Sequence, residues 1–160
     1  MIDTLAAVLA VASTAAHGLL AGLNVDRSVV QMPAWRRVGA SGWADFSRHA
    51  DLGPGRALYP AEGICSMLLA IGMSVAFHAD AAVSPRARAA ANVVVALSVL
   101  GILVTVKAAP FMLRLRKTDL DSAAVSEAFR GFHRWGSLRA VFQCLAFVLQ
   151  LLTLFVLLTG

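Results

Sequence analysis

The sequence has little charge, and the charge it has is unevenly spread. Only 14% of its 160 residues are Asp, Glu, Lys or Arg, whereas a water-soluble domain carries about 25%. Four stretches contain none of these residues, at 4–25, 63–79, 89–106 and 140–160. Each is close to the roughly 20 apolar residues that a helix needs to cross a bilayer. The low charge therefore excludes an ordinary soluble domain and indicates a membrane protein.

The uncharged stretches, extended by their apolar flanks, predict four transmembrane helices in a single domain, 1–160. We place the spans at about 3–25, 58–79, 87–108 and 136–158. The first span is too long for the apolar part of a signal peptide and has no basic segment before it, so we expect it to remain as a helix. The predicted fold class is all-α, an integral membrane four-helix bundle.

Basic residues are nearly absent from one side of the predicted bundle. The long connections 26–57 and 109–135 lie on the same side, and 12 of the 14 Lys and Arg residues lie in or next to them. Only Arg86 and Arg88 lie on the other side. Because positively charged loops stay in the cytoplasm, we predict cytoplasmic long loops and extracytoplasmic termini in a bacterial-type inner membrane. The net charge of +5 is then a topology signal, and no nucleic-acid partner is expected.

The first long loop mixes aromatic, basic and small residues. Gly and Pro residues separate two segments, at about 34–38 and 42–49, which we expect to be short interfacial helices. Trp35 and Trp43 would then lie at the level of the lipid headgroups, and Arg48 would face lipid phosphates.

The second long loop is predicted to become helical before the fourth span. Thr118 followed by Asp121 resembles a capping pair, which places the start of a helix near Asp119. Gly131 and Gly136 are candidate bends in this helix.

Small residues recur at every fourth position of the first predicted span. Residues four apart share a helix face, and small side chains let membrane helices approach closely. We expect this face to serve packing, and it is also the candidate surface for a homo-oligomer or a larger membrane complex. Its residues are Ala6, Ala10, Thr14, Gly18 and Gly22.

Polar residues follow one face in three of the four predicted spans. They are Ser13, His17 and Asn24 in the first, Tyr59, Glu62 and Ser66 in the second, and Trp135, Arg139, Gln143 and Gln150 in the fourth. At a rise of about 1.5 Å per residue, most of these side chains reach similar depths in the cytoplasmic half. Charges inside a membrane are costly unless they pair or face a cavity. We therefore predict an ion pair between Glu62 and Arg139 in one shared pocket.

The predicted pocket has the chemistry of a proton transfer. His17 would act as the base, Arg139 would stabilise the anion that forms, and Glu62 would orient its partners. The wall that contacts a lipophilic substrate would consist of Asn24, Tyr59, Ser66, Trp135 and Gln143. The alternative is that these polar residues only form hydrogen bonds between helices.

The sequence lacks the ligand patterns of familiar metal and cofactor sites. The two cysteines lie singly inside predicted spans, which is typical of packing residues. His17, His78 and His133 lie at different depths, which does not suit a haem held by two histidines. A non-haem metal on His17 and Glu62 with His49 or His133 has no supporting ligand spacing. We predict no metal site, and the sequence specifies no cofactor.

Four short motifs are spread over nearly the whole chain. They are GLLAGLNV in the first span, VVQMPAW after it, LYPAEG opening the second span, and FHRW followed by GSLR opening the fourth. In these motifs the chain resembles the anthrone oxygenase-like family of small four-helix membrane proteins, a domain-of-unknown-function family. The resemblance implies oxidation of an anthrone to an anthraquinone by molecular oxygen, and it points to Asn24, Trp135 and Arg139 as family-type residues. Residues 136–138 stand where the family pattern has a histidine or asparagine before the arginine.

Two functions of different classes follow from these observations. The first is a membrane oxygenase or oxidoreductase that acts on a lipophilic aromatic molecule, anthrone- or quinone-like, in the polar pocket. The second is a non-catalytic accessory subunit that packs against a larger membrane complex. The sequence leaves open whether the chain is an enzyme, and the lipid bilayer and a lipophilic small molecule are its expected partners.

Overall fold

A computed structural model describes residues 2–120 and 123–159, and every regular element in these ranges is helical. The elements are α1 (Thr4–Asp26), a π-helical turn (Arg27–Gln31), α2 (Met32–Val38), α3 (Ala40–His49), α4 (Gly55–Ala79), α5 (Pro85–Arg114) and α6 (Ala123–Thr159). Helices α1, α4, α5 and α6 are long and apolar enough to cross a membrane. The predicted all-α fold, a membrane four-helix bundle, is confirmed.

Helices α5 and α6 extend well beyond the apolar stretches of the sequence. Pro110 lies inside the last turns of α5, and α6 continues as one helix through Gly131 and Gly136, so neither glycine ends the helix. Among the described residues α6 begins at Ala123, later than the predicted start near 119. Asp121, the expected capping partner, lies outside the described residues.

The extended ends of α5 and α6 form a second core together with α3, at the end of the bundle that carries the two long connections. We call this end the loop end. Trp43 of α3 is buried there, 5.2 Å from the ring of Phe129 and 5.7 Å from the ring of Phe132. The prediction that Trp43 lies among lipid headgroups is therefore wrong, because its indole fills the space between α3 and α6.

Arg48 has a structural role at the loop end. Its Nε donates a hydrogen bond to the Leu115 carbonyl at 2.8 Å, and its Nη2 donates to the Thr118 carbonyl. These carbonyls lie past the end of α5, where the helix leaves them without partners. Arg48 therefore joins α3 to the second long connection and does not face phosphates as predicted.

Two local features turn the chain at the loop end. Pro33 has no N–H and its ring crowds the carbonyl of Val29, so the preceding turn widens and Met32 bonds to the Arg27 carbonyl. Gly39 then adopts a φ of 106° between α2 and α3, a conformation that favours glycine.

The small-residue face of α1 is used inside the bundle. Ala6 and Ala10 are buried against a cluster that includes Met73 and Phe77 of α4, and Thr14 is buried as well. Since this face is covered by the chain's own helices, most of it is not available to a partner. Gly22, at the end of this face, is exposed, and an oligomer or larger complex formed through the face stays a prediction.

Candidate functional site

A cavity of about 130 Å³ lies between α1, α4, α5 and α6 at the loop end of the bundle. Its polar wall consists of Asn24, Arg27, Tyr59, Glu62, Arg139 and Gln143. Apolar side chains, among them Leu20, Leu23 and Ile102, form the rest. The polar faces predicted for three separate spans thus meet in one place, as their shared depth indicated.

The cavity opens sideways between α1 and α4. Leu23 is 41% exposed, Tyr59 is 40% exposed, and Pro60 beside them is also exposed. Helices α1 and α4 are apolar enough to cross a membrane, and in a bilayer an opening between their exposed faces would lie against lipid.

Arg139 is held in the cavity by a neutral partner. Its Nε donates to Oδ1 of Asn24 at 3.0 Å, and Nδ2 of Asn24 donates to the Leu20 carbonyl at 2.7 Å. The second bond fixes the amide so that its oxygen faces the guanidinium. No other hydrogen bond from Arg139 is formed within the described part of the chain, which leaves its remaining N–H groups for a ligand.

Glu62 lines the same cavity, but it does not form the predicted ion pair with Arg139. Among the described residues, Arg27 and Asp51 form the ion pair at this site, and Arg139 is held by Asn24 instead. The Oε2 atom of Glu62 is buried and has no hydrogen-bond partner in the described residues. The cavity therefore holds an arginine and a carboxylate that are both available to a third molecule.

Arg27 is a site residue that sequence reasoning missed. Its guanidinium carbon lies 5.2 Å from the ring centre of Tyr59 and 5.4 Å from that of Phe132, and Nη2 pairs with Asp51. From the sequence, Arg27 is only the first basic residue after a span, next to Asp26, and Asp51, in the short sequence RHAD at 48–51, resembles part of a surface turn. Their pairing depends on how the first loop folds back, and no local signal reports it.

His17 lies one layer deeper than the main cavity. Its Nδ1 bonds to the Ser13 carbonyl at 2.8 Å, and its Nε2 lies 2.9 Å from Oγ of Ser98. With Ser66 it lines a cavity of about 10 Å³, and Gln143 lines both this cavity and the main one. Both ring nitrogens of His17 are thus engaged within the bundle.

The eight predicted site residues separate into three groups. Asn24, Tyr59, Glu62, Arg139 and Gln143 line the main cavity, His17 and Ser66 line the small one, and Trp135 lines neither. Trp135 packs against the core formed by α3, α5 and α6, with the Arg134 guanidinium carbon 5.8 Å from its ring centre. One further turn of α6 carries Trp135 past the main cavity, so its predicted place in the wall is not supported by this geometry. Besides Arg27, the polar residues that line the main cavity but were not predicted from the sequence are Gln31 and Thr105.

No group of three or more His, Cys, Asp or Glu side chains in the described ranges is placed to hold a metal ion. No protein-family model, curated protein or solved structure matches the chain. The site is therefore interpreted from its own geometry.

Proposed function

We propose that the chain is a membrane-embedded enzyme of the oxygenase or oxidoreductase type, acting on a lipophilic aromatic molecule that is anthrone- or quinone-like. The observation that carries this proposal is the main cavity, where Arg139 and Glu62 face a shared space without pairing to each other. Its lateral opening suits a substrate that is dissolved in the bilayer.

The chemistry follows from the two charged groups. A carbon acid or phenol gives its proton to the carboxylate of Glu62, and the negative charge moves to a substrate oxygen. The N–H groups of Arg139 donate hydrogen bonds to that oxygen in a cavity with apolar walls, where such bonds are strong. For an anthrone, the electron-rich anion then passes electrons to molecular oxygen, so that anthrone and O₂ give anthraquinone and water.

The geometry favours Glu62 over His17 as the base. Glu62 lines the cavity with an unpartnered oxygen, whereas both nitrogens of His17 are engaged in the deeper layer. In this proposal His17 supports the inner wall through Gln143, and Asn24 orients Arg139.

The alternative of an accessory subunit has less support. It needs an exposed packing surface on the small-residue face of α1, and Ala6, Ala10 and Thr14 of that face are buried within the chain.

We also propose that the loop end faces the cytoplasm, in a bacterial-type inner membrane. The loop end and its adjoining turns carry 12 of the basic and 7 of the acidic residues, so the whole net charge of +5 lies there. The positive-inside rule assigns such an end to the cytoplasm, where the cavity mouth opens to the inner leaflet.

Turnover of an anthrone by purified protein in lipid nanodiscs tests the proposed reaction. Arg139→Ala and Glu62→Gln are each expected to lower the rate of anthraquinone formation by about 100-fold or more, the usual contribution of a positioned acid–base or anion-stabilising group. Arg134→Ala is the matched control, since Arg134 is exposed on the same helix outside the cavity. Full activity in both cavity variants would end the proposal.

A further inference from the structure

The size of the main cavity limits what it can hold. Its volume is about 130 Å³, and a buried cavity of about 150 Å³ accommodates one benzene molecule. One six-membered ring therefore fits inside, and further rings or chains must lie in the opening towards lipid.

The walls of the cavity leave a narrow space at Gly63. A Cβ atom added to Gly63 would lie 3.3 Å from Cδ1 of Ile102 on the facing helix, tighter than ordinary van der Waals contact. The missing side chain thus keeps space open between α4 and α5, beside the polar wall.

Two residues that line this cavity each carry a buried acceptor atom that has no donor within the described residues. They are Oε1 of Gln143, a residue that is 7% exposed, and Oε2 of Glu62. Leaving buried acceptors unpaired is costly, so a ligand that donates hydrogen bonds is favoured. The nearby guanidinium groups of Arg27 and Arg139 disfavour a cationic donor, so the donor is a neutral group such as a ring hydroxyl.

The opposite requirement comes from Arg139. In the described part of the chain only its Nε is bonded, to Asn24, and its other N–H groups need an acceptor. A ring with a hydroxyl that donates to Glu62 or Gln143 and a second oxygen that accepts from Arg139 meets both requirements. An apolar tail on that ring leaves through the opening beside Leu23 and Tyr59 into the bilayer.

From this complementarity we infer that the cavity binds the headgroup of a tailed, single-ring quinol, and binds the quinol in preference to the corresponding quinone. The quinone has no hydroxyl, so it leaves the Gln143 and Glu62 acceptors unpaired. This inference rests on the proposed function, because it assigns the substrate class of the same site, and it selects the quinone-like class over the tricyclic one.

The test is equilibrium binding in nanodiscs under anaerobic conditions, with a decyl-tailed benzohydroquinone and the matching benzoquinone as probes. We expect the quinol to bind at least about 10-fold more tightly than the quinone, the effect of one unsatisfied buried acceptor. Gln143→Leu and Glu62→Leu should each reduce this preference and leave quinone binding nearly unchanged. Gly63→Leu should abolish binding of both probes, and Glu127→Gln, on the exposed surface, should change neither.

Equal binding of the two probes, or no binding of either, would overturn the inference. Circular dichroism and size-exclusion profiles identify variants that fail to fold, and the preference measured on the unmodified chain decides in that case.

The outcomes distinguish failure of this inference from failure of the proposed enzyme function. If an anthrone is oxidised in a Glu62- and Arg139-dependent way and the quinol does not bind, the inference fails alone. If the quinol binds with the expected preference and no substrate is turned over, the proposed enzyme function fails alone.

Discussion

At the scale of single residues, the two arginines of the cavity differ in how their charges are balanced. Arg27 has a carboxylate partner, Asp51, and lies near the faces of Tyr59 and Phe132. Within the described residues, Arg139 is hydrogen-bonded to the neutral amide of Asn24 and forms no ion pair of its own. Because a charge in a low-dielectric site is stabilised by an opposite charge, Arg139 is the group that would stabilise negative charge on a substrate oxygen in the proposed reaction, while Arg27 fixes the first loop to the bundle.

The pair of Arg27 and Asp51 is expected to be essential for stability. Their side chains are 17% and 4% exposed, so Asp51→Asn leaves a mostly buried cation unpaired. Breaking a fully buried pair costs about 3–5 kcal/mol, and the partial exposure of Arg27 reduces the expected loss to about 2 kcal/mol. Thermal and denaturant unfolding in detergent measure this loss.

Asp45→Asn is the control for that prediction. The Asp45 side chain is 61% exposed and lies 3.9 Å from His49, so its replacement should cost less than about 0.5 kcal/mol. Equal stability of the two variants would show that the Arg27–Asp51 contact is not a structural pair.

The sequence largely predicted which residues line the cavity, but it did not predict which of them form hydrogen bonds or ion pairs with each other. Helix periodicity and depth predict Asn24, Glu62 and Arg139 near the membrane interface and Gln143 one layer deeper, and these four line the cavity. The choice of Asn24 over Glu62 as the partner of Arg139 depends on small rotations of α1, α4 and α6 about their axes. Sequence spacing does not determine such rotations, because adjacent side chains on a face differ by only a few ångströms.

At the scale of elements, the two glycines inside α6 differ in what packs against them. At Gly131 an added Cβ would overlap the ring of Phe111 on α5, whereas at Gly136 nothing lies within 4 Å of that position. Both are helical, so neither glycine is needed for its backbone conformation. Gly131 is a contact residue between α5 and α6, which the sequence alone did not distinguish from a bend.

Substitution of these two glycines by alanine should have opposite effects. Gly131→Ala is expected to destabilise the protein by about 1–3 kcal/mol, since the methyl group overpacks the contact with Phe111. Gly136→Ala should stabilise it by up to about 1 kcal/mol, because alanine favours a helix over glycine. Unfolding midpoints of the two single variants, measured in the same detergent, compare them directly. A stabilising Gly131→Ala would contradict the close packing of α5 and α6 at this point.

At the scale of the whole molecule, the length of the uncharged stretches predicted the four-helix bundle. The distribution of basic residues predicted only the proposed orientation of the bundle in the membrane. The four apolar helices follow from the absence of charge over long stretches. The second core, in which Trp43 packs against α6, does not follow from the sequence. Its residues come from three segments distant in the chain, and an aromatic residue in a loop is equally compatible with lipid headgroups.

The proposed orientation can be tested by chemical labelling in intact cells. Both native cysteines are first removed by Cys65→Ala and Cys144→Ala. A single cysteine is then introduced, either by Ala82→Cys in the turn between α4 and α5 or by Arg116→Cys in the long connection after α5. Both positions are exposed. A basic loop is retained in the cytoplasm because crossing the membrane is unfavourable for its charges. A membrane-impermeant maleimide should therefore label position 82 in intact cells and position 116 only after the membrane is opened.

Labelling of both sites in opened cells is the control for reactivity, since it shows that each thiol is accessible. The reverse pattern in intact cells would place the basic end outside. The lateral opening beside Leu23 and Tyr59 would then face the outer leaflet, and a tailed quinol would have to reach the cavity from that side. The same experiment thus decides both the orientation of the bundle and the leaflet from which its cavity is filled.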